Sequence, residues 1–457
     1  MNKKSYIPPT IDRHVIGLMN KHAHGVQTEP QKEIAGVPVQ ELVQEHGSPL
    51  FVIVEDVLRQ KYQDAHRAFS TRYPRVQFAW SYKTNYLKAV CSVFHQEGAI
   101  AEVVSDFEYQ KARALGVSGS DIVFNGPYKS EAILRTAVSE GARIQLDNLD
   151  EIVLLERIAA EEDVVIPVGL RVNMIAGSEP TWTKFGFNYE NGEAGRMIKR
   201  LASNGRLQLV GLHMHLGTFV LDLRSYREGI SKLLELAHWA KDEFEVELEY
   251  INAGGGFGSI NSLKHQYLPG HELTPSFDQY AEAICETLDQ NLPDYAQPPL
   301  LLLETGRALV DEAGSLISTV VGVRNTVDGG RALVVDAGVN LLYTSNWYRL
   351  TMTPAQESSG PNSKTVVYGP LCMNIDVIRD DAPLPALSTG QQIVIHPVGA
   401  YNISQSMQFI TYRPRVVMIG SEGQVDVIRD RETLEAVEAL EVLPERLADH
   451  GAGDSGA

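Results

Sequence analysis

The chain has 457 residues, a formal net charge of −18 and three cysteines. This length exceeds the usual size of a single hydrophobic core, so two domains are expected. The negative charge argues against nucleic acid and anionic membranes as partners, because phosphate groups are bound by clustered Lys and Arg. The cysteines are too few and too scattered for a disulfide framework or a CxxC metal site, which fits a reducing, cytoplasmic location. Small-molecule chemistry is therefore the expected class of function.

The two ends of the chain carry no targeting signal that the sequence reveals. The N-terminal MNKKSYIPPT lacks the apolar segment of a secretion signal, and no apolar run reaches transmembrane length. We interpret His22 and His24 as solvent-exposed and the C-terminal HGAGDSGA as a frayed tail. The sequence predicts a protein that is not exported and has no membrane partner.

Between Pro49 and Leu303 short apolar strand candidates alternate with amphipathic helix candidates. The strand candidates, in chain order, are FVIVE, QFAWSY, AEVVS, IVFNG, RIQLDN, PVGLRVN, LVGLHMHL, EYINAGGG and LLLE. Segments between them, such as SEAILRTAVSEG, have apolar residues three and four apart, which is the helical period. This regular alternation predicts a parallel sheet, and the number of strands favours a closed (β/α)8 TIM-like barrel over an open doubly wound sheet.

After Arg307 the pattern changes to β-rich runs separated by Gly, Pro, Asn and Asp clusters. Examples are SLISTVVGVRN, RALVVDAG and QQIVIHPV. Such runs predict a second, mostly antiparallel β-domain at the C-terminal side of the barrel. We expect AGVPVQELVQEHG, ahead of the barrel, to add a strand to this domain. The predicted division is a barrel over residues 45–304 and a β-domain built from residues 1–44 and 305–457.

Lys83 follows the strand candidate QFAWSY, at the end of a barrel strand where active sites of this architecture lie. A partly desolvated lysine there has a depressed pKa and can attack a carbonyl to form a Schiff base. For an isolated lysine, a solvated surface position is the commoner structure. The remaining motifs must decide between these readings.

A glycine-rich segment, NAGGGFG, follows the strand candidate EYI. Its consecutive glycines, Gly254, Gly255 and Gly256, let backbone N–H groups approach a phosphate closely. The alternative is a tight structural turn. The segment does not fit GxGxxG with an acidic residue about 20 residues further on, so a simple phosphate cradle is favoured over a dinucleotide site.

Two further strand ends carry polar residues. In HMHLGT, His213 and His215 share one face, but no third ligand at recognisable spacing supports a metal site. His215 stacking on a flat ring and a buried core histidine are the other readings. In LLLETGRAL, Glu304 and Arg307 end an apolar strand, where a carboxylate is costly without a cation. The two side chains could pair with each other, or Glu304 could face a pyridinium.

Taken together, six motifs resemble those of a known family in order and spacing. They are YKTN at Lys83, HLGT at 215–218, GGGFG at 254–258, ETGR at 304–307, GPLC at 369–372 and GAY at 399–401. The series resembles the fold-type III pyridoxal-phosphate decarboxylases, which include the diaminopimelate and ornithine decarboxylases, and spans about residues 35 to 420. The resemblance implies an alanine racemase-like barrel with a β-domain, and pyridoxal 5'-phosphate held by Lys83 as a Schiff base.

The resemblance also implies roles for the other cofactor contacts. His215 would stack on the pyridine face, and Thr218, in place of the more usual serine, would hold the phosphate with the amides of the glycine segment. Glu304 would keep the ring nitrogen protonated, so that the ring accepts the electron pair released with CO2. This favours decarboxylation over racemisation. The implied contacts are completed by Gly306, Arg307 and Tyr401.

Cys372 resembles a family cysteine that reaches the site from the partner subunit and donates a proton to the substrate. A thiol that titrates near neutrality suits a proton donor, whereas a lone cysteine after a strand is more often an inert core residue. The resemblance therefore implies a homodimer with shared active sites. The other partner would be a small-molecule amino acid, which Tyr401 would also contact.

The chain departs from the family at two substrate positions. Met373 stands where diaminopimelate and ornithine decarboxylases have the acid that binds the distal ammonium, and Thr344 stands where an arginine binds the distal carboxylate. Arg307 and Tyr348 keep the other two carboxylate positions. A thioether cannot compensate a buried ammonium.

From these departures we hypothesise a substrate with a masked or absent distal amine, such as a citryl-diamino acid of carboxylate-siderophore biosynthesis. The first alternative is a diaminopimelate decarboxylase of lysine biosynthesis with unusual contacts. The second is a non-catalytic interaction protein that has the decarboxylase fold. The second alternative is disfavoured because Lys83, His215 and Glu304 all persist.

Overall fold

A computed structural model describes residues 29–264, 266, 268–358 and 360–448. The predictions for His22 and His24, for the first 28 residues of the β-domain and for the C-terminal tail lie outside these ranges. No helix in the described ranges is long and apolar enough to cross a membrane.

The strands, in chain order, are β1 (Glu33–Ile34), β2 (Val37–Pro38), β3 (Leu50–Val54), β4 (Val76–Ser81), β5 (Ile100–Val103), β6 (Ile122–Phe124), β7 (Arg143–Leu146), β8 (Ile166–Asn173), β9 (Phe187–Asn188), β10 (Leu207–Met214), β11 (Tyr250–Asn252), β12 (Leu300–Leu303), β13 (Gly314–Asn325), β14 (Arg331–Val335), β15 (Thr351–Pro354), β16 (Ser363–Tyr368), β17 (Val377–Leu384), β18 (Gln392–His396), β19 (Val416–Ile419) and β20 (Val425–Arg429). The helices are α1 (Val39–His46), α2 (Glu55–Ser70), α3 (Lys88–Gln96), α4 (Asp106–Ala114), α5 (Glu131–Ser139), α6 (Leu149–Glu162), α7 (Glu193–Asn204), α8 (Leu223–Phe244), α9 (Gly270–Leu273), α10 (Phe277–Asn291), α11 (Arg307–Val310), α12 (Leu434–Glu438) and α13 (Glu445–Ala448).

Parallel strands close into a barrel, as predicted. Each of β4, β5, β6, β7 and β8 pairs in parallel with the next, β8 pairs with β10, and β10, β11 and β12 follow in order. The pairing of β12 with β4 completes the ring. The short strand β9 extends the sheet beside β8. The carboxyl ends of these strands therefore converge at one end of the barrel, where the site is expected.

Local sequence signals position several of the helices that follow the barrel strands. The N-caps Ser105, Ser130, Asn148 and Ser276 each accept a hydrogen bond from the backbone N–H three residues further on. Such caps satisfy backbone donors that the first turn of a helix leaves unpaired. Each cap thereby fixes the connection between a barrel strand and its helix.

The strand FVIVE, now β3, is not the first barrel strand, which corrects the sequence prediction. It pairs antiparallel with β13 and parallel with β19 in the second sheet. Phe51 and Ile53 face one hydrophobic cluster, whereas Leu50 and Val52 face another. A strand that is buried on both faces has a continuous apolar sequence, which is the same signature as a parallel barrel strand.

The second domain is a mostly antiparallel sheet, which confirms that prediction. Its strand order is β17-β16-β14-β13-β3-β19-β20, and β18 pairs with both β13 and β15. The pairings of β14 with β16 and of β19 with β3 are parallel, and the others are antiparallel. Strand β13 carries three neighbours along its length and is the centre of the domain.

The segment AGVPVQELVQEHG does not add a strand to this sheet. It forms part of the separate hairpin β1–β2 and then helix α1. Ile34, Val39 and Leu42 pack in the same cluster as Leu50 and Val52 of β3. The segment therefore covers one face of the second sheet instead of extending it.

Candidate active site

A cavity of about 800 Å³ opens where the carboxyl ends of the barrel strands meet the second domain. Lys83 and Glu304, from the barrel, line it together with Tyr348 and Tyr401 of the second domain. The cavity thus brings together residues that are more than 300 positions apart in the sequence.

Lys83 lies in a short 3-10 turn, Tyr82–Thr84, directly after β4. Its Nζ donates to Glu102 Oε2 at 2.5 Å and to Ser81 Oγ at 2.7 Å. Burial alone lowers the pKa of Lys83, but the neighbouring Glu102 carboxylate raises it above its usual range. The predicted depressed pKa of Lys83 is therefore wrong in this structure, because the prediction did not include the anionic partner.

Glu102 is a site residue that the sequence analysis missed. It lies on β5, in register with Ser81 of β4, and its side chain is 1% exposed. The Ser81 hydroxyl donates to the same Oε2 that accepts from Lys83. The available signal was an acidic residue inside the apolar strand AEVVS, since a buried carboxylate requires a partner.

Glu304 is buried at the end of β12, and its two oxygens have different neighbours. Its Oε1 accepts from Asn125 Nδ2 at 2.7 Å and from Asn252 Nδ2 at 2.6 Å. Its Oε2 lies 3.3 Å from His213 Nε2. Burial alone raises the pKa of Glu304, but His213 and Lys83 lower it well below its usual range. The carboxylate therefore stays ionised and can hold a proton on a partner nitrogen.

Arg307 does not pair with Glu304, so the alternative of a mutual ion pair is wrong. Its nearest carboxylate is Asp311, with Oδ2 3.9 Å from Nη1. The guanidinium is buried, and its Nε and Nη1 have no hydrogen-bond partner among the described residues. The guanidinium carbon, Cζ, lies 4.8 Å from the ring centre of Tyr401 and 5.0 Å from that of Tyr348. The geometry leaves a cation available to a ligand in the cavity.

The two histidines of HMHLGT have different partners, which does not support a shared metal site. His213 lies beside Glu304, whereas His215 Nδ1 accepts from the backbone N–H of Gly255 at 3.1 Å. Burial and the neighbouring Arg171 lower the pKa of His215 to about 3. The His215 ring is therefore neutral and lies at the cavity wall, with Trp182 at a ring-centre distance of 5.5 Å.

The glycine segment differs from the prediction that three amides face a phosphate. The N–H of Gly254 donates to Asn252 Oδ1 at 2.9 Å, and that of Gly255 donates to His215. Of the three amides, that of Gly256 has no acceptor among the described residues. Gly256 has φ of +95°, and a Cβ there would lie 2.5 Å from the carbonyl oxygen of Gly217. This segment therefore requires glycine, and one of its amides remains for a ligand.

The remaining predicted residues divide into two groups. Thr218, Gly306, Tyr348 and Tyr401 line the cavity. Thr344, Cys372 and Met373 do not line the cavity of their own chain. The Thr344 hydroxyl donates to Asn402 Oδ1 at 2.9 Å, and Cys372 is exposed. The structure thus does not bring Thr344 to the substrate region predicted for it, since its hydroxyl is used within the second domain.

Residues 59–311 match the model of the pyridoxal-dependent decarboxylases, over their pyridoxal binding domain. The chain belongs to this family. The diaminopimelate decarboxylase of Methanothermobacter thermautotrophicus is 29% identical over 427 residues, which cover 91% of this chain and 96% of the relative. That of Bacillus subtilis is 29% identical over 449 residues, covering 94% and 98%. The structure of the diaminopimelate decarboxylase from M. jannaschii has a TM-score of 0.83 at 27% identity, covering 92% of this chain and 98% of that chain.

This chain is therefore a lyase that uses pyridoxal phosphate to decarboxylate an amino acid. The predicted enzyme class, cofactor and fold are confirmed. The cavity fits this cofactor. The ionised, buried Glu304 suits a protonated ring nitrogen, the neutral His215 ring suits a flat aromatic face, and the free Gly256 amide suits a phosphate oxygen. A non-catalytic interaction protein would not need this arrangement.

Proposed function

We propose that this decarboxylase acts on an α-amino acid whose distal end carries oxygen atoms but no free ammonium, such as a citryl or other acyl conjugate of a short diamino acid. The observation that carries the proposal is the buried guanidinium of Arg307, with Nε and Nη1 unbonded at the cavity wall. Carboxylate or carbonyl oxygens on the substrate would satisfy both donors.

A free distal ammonium would need an acidic partner, and the acids in the cavity are poorly suited to it. Glu102 and Glu304 are already bonded within the site. Glu179 also lines the cavity, but burial and the neighbouring Asp222 raise its pKa and so disfavour the ionised carboxylate relative to a solvated glutamate. Met373 supplies no charge. These features support an uncharged or anionic distal group.

The cofactor roles proposed for individual residues follow from their contacts. Lys83 holds the cofactor aldehyde, His215 lies against the ring, and Glu304 pairs with the ring nitrogen. The exposed Thr218 and the Gly256 amide bind the phosphate. Bound pyridoxal phosphate supplies a protonated ring that accepts the electron pair left when the substrate carboxylate departs as CO2.

Lys83 needs a proton acceptor before it can react, because the raised pKa keeps Nζ charged. Glu102 Oε2, 2.5 Å from Nζ, is placed to take this proton. The Ser81 hydroxyl donates to the same oxygen of Glu102, and this hydrogen bond fixes the carboxylate beside Nζ. Lys83 and Glu102 therefore act as a unit.

We further propose that Cys372 serves the cavity of a partner subunit in a homodimer. Cys372 is exposed on the turn that follows β16 and lies outside its own cavity. Large apolar side chains are exposed on this turn and on the nearby segment 407–410, including Ile375, Met407 and Phe409. Residues 339–340 link the two regions. The Asn340 side chain donates to the carbonyl of Met407, and the Met407 N–H donates to the carbonyl of Asn340. The N–H of Val339 donates to Asp376, on the other region. Contact between protomers would cover this surface.

Diaminopimelate itself is the second candidate substrate, favoured because the similar proteins include diaminopimelate decarboxylases. The structure of the M. jannaschii enzyme has been determined in complex with L-lysine. For this chain the candidate would require another partner for the distal ammonium, and Glu179 is the acid to test.

The deciding experiment measures CO2 release by the purified protein from a panel of free and acylated amino acids. The panel contains meso-diaminopimelate, lysine, ornithine and their citryl- or acetyl-conjugated counterparts. We expect the highest kcat/KM for a conjugate. Equal turnover of diaminopimelate and a conjugate would refute the masked-amine proposal, and complementation of a lysine auxotroph would support the second candidate.

The shared site is tested by mixing two inactive variants, Lys83→Ala and Cys372→Ala. If Cys372 acts in the partner's cavity, each mixed dimer has one intact site, and random mixing restores about a quarter of wild-type activity. No recovery after verified subunit exchange would place Cys372 in its own chain's site.

A further inference from the structure

The amide of Asn125 lies between two buried carboxylates. Its Nδ2 donates to Glu102 Oε1 at 2.9 Å and to Glu304 Oε1 at 2.7 Å. The three residues are 3%, 1% and 4% exposed, respectively. An ionised carboxylate only accepts hydrogen bonds, so only the NH2 side of the amide can face both acids. The orientation of Asn125 is therefore fixed by its chemistry.

Asn125 joins the two ends of the site into one hydrogen-bonded series. Lys83 Nζ binds Glu102, Glu102 binds Asn125, and Asn125 binds Glu304. Among the described residues no other side chain is hydrogen-bonded to both carboxylates. The Oδ1 of Asn125 has no donor in the described part of the chain, so the hydrogen bonds of the side-chain amide there are those to the two acids.

Asn125 also determines which oxygen of Glu304 receives the amide hydrogen bonds. Asn125 and Asn252 both donate to Oε1, at 2.7 Å and 2.6 Å, and thereby leave Oε2 toward His213 and the cavity. Hydrogen bonds from neutral donors favour the ionised form of a carboxylate. Two carboxylates that lack such separate donors can share one proton, and then titrate as a pair.

Several other groups face the two acids from neighbouring strands. Glu102 is influenced by Lys83, by Glu108 on α4 and by Arg171 on β8. Glu304 is influenced by Lys83, Arg171, His213 and His215. Tyr401 faces Lys83 from the second domain. None of these replaces Asn125, because none bonds to both carboxylates.

We propose that Asn125 is a positioning residue: by donating to both carboxylates it keeps Glu304 ionised opposite the cofactor ring while Glu102 stays directed at Lys83. The inference rests on the roles proposed above for Lys83 and Glu304. It predicts that removing the two N–H donors changes the pH dependence of cofactor binding.

The test uses the full chain reconstituted with pyridoxal phosphate and follows its visible absorbance from pH 9 down to the pH at which half of the wild-type band is lost. Asn125→Asp keeps the shape of the side chain but replaces both donors with acceptors. We expect its dissociation constant for pyridoxal phosphate to rise about tenfold or more at pH 8 and to recover as the pH falls and Asp regains a proton. Asn125→Leu removes the donors without adding charge, and should move the acid-side midpoint of the absorbance up by about one pH unit.

Gln145→Leu is the matched control, because it removes a buried amide on the next strand that binds the Tyr250 hydroxyl and neither carboxylate. It should change the unfolding temperature but not the pH midpoint. Wild-type affinity and midpoint in Asn125→Asp, or an equal shift in Gln145→Leu, would overturn the proposal. If Asn125→Asp does not fold, Asn125→Leu alone decides. A wild-type protein with no visible band would instead refute the role of Lys83 and leave this inference without its basis.

Discussion

Replacing Arg307 by methionine tests how the cavity recognises the distal end of the substrate. Methionine keeps much of the apolar volume between Tyr348 and Tyr401 but removes the unbonded Nε and Nη1 donors. A charge-assisted hydrogen bond contributes about 1.5 kcal/mol or more, so two lost bonds amount to about 3 kcal/mol. This corresponds to roughly a 100-fold loss in kcat/KM for a substrate with distal oxygens.

The assay compares an acylated diamino acid with a straight-chain alkyl amino acid of similar length. The alkyl substrate lacks the distal oxygens, so its kcat/KM should change little in Arg307→Met. An equal loss for both substrates would show that Arg307 serves the cofactor or the fold and not the distal group. The dissociation constant for pyridoxal phosphate, measured in parallel, separates these two causes.

The same variant has an expected stability signature through Asp311. Burial raises the pKa of Asp311, while Arg307 lowers it, so removal of Arg307 should raise it further. An acid whose pKa is higher in the folded than in the unfolded state loses stability as the pH rises from the unfolded to the folded value. Relative to wild type, Arg307→Met should therefore become less stable as the pH rises above about 3.9, the unfolded pKa of an aspartate. A pH-independent difference in unfolding free energy would contradict this coupling.

Three further predictions concern charges at the site. Glu304→Gln should lower kcat by about 100-fold or more. Because the folded pKa of Glu304 is depressed, wild type should lose stability relative to this variant as the pH falls below about 4.3. Chemical denaturation measures this, and parallel stability profiles of the two proteins would contradict the assignment. Lys83→Ala should abolish the visible absorbance band and lower the unfolding free energy by about 1–3 kcal/mol, since Glu102 loses its cation in a partly open site; retention of the band would exclude Lys83 as the cofactor lysine. Met373→Glu should increase the kcat/KM for substrates with a free distal amine, whereas Met373→Leu should not, and equal rates in the two variants would count against this position as a substrate contact.

The sequence predicted best what is encoded at the end of a single strand. Lys83 and Glu304 were identifiable because a charge interrupts an apolar run, and Arg307 because it follows in the same motif. Glu102 and Asn125 were not, because their importance depends on strand register: Glu102 pairs with Ser81, and Asn125 reaches two acids from different strands. Neither register nor side-chain direction across the barrel can be read from local periodicity.

Two other differences have equally local causes. The amides of Gly254 and Gly255 looked free in the sequence, but the side chains of Asn252 and His215 accept from them. The predicted Thr344 contact failed for a similar reason, since Asn402 accepts from its hydroxyl. In each case a polar side chain from elsewhere in the fold had already satisfied the group that the motif offered.

Strand β3 has a consequence for how the chain reaches its native state. Its partners β13 and β19 are complete only at Asn325 and Ile419, whereas β3 itself ends at Val54. During synthesis the whole barrel emerges before either partner, so a strand that is apolar on both faces must wait without a sheet. The barrel and the second domain consequently cannot be separated into one N-terminal and one C-terminal fragment. A cut at residue 304 would leave the barrel fragment with an exposed, aggregation-prone edge and the other fragment with a gap at the middle of its sheet.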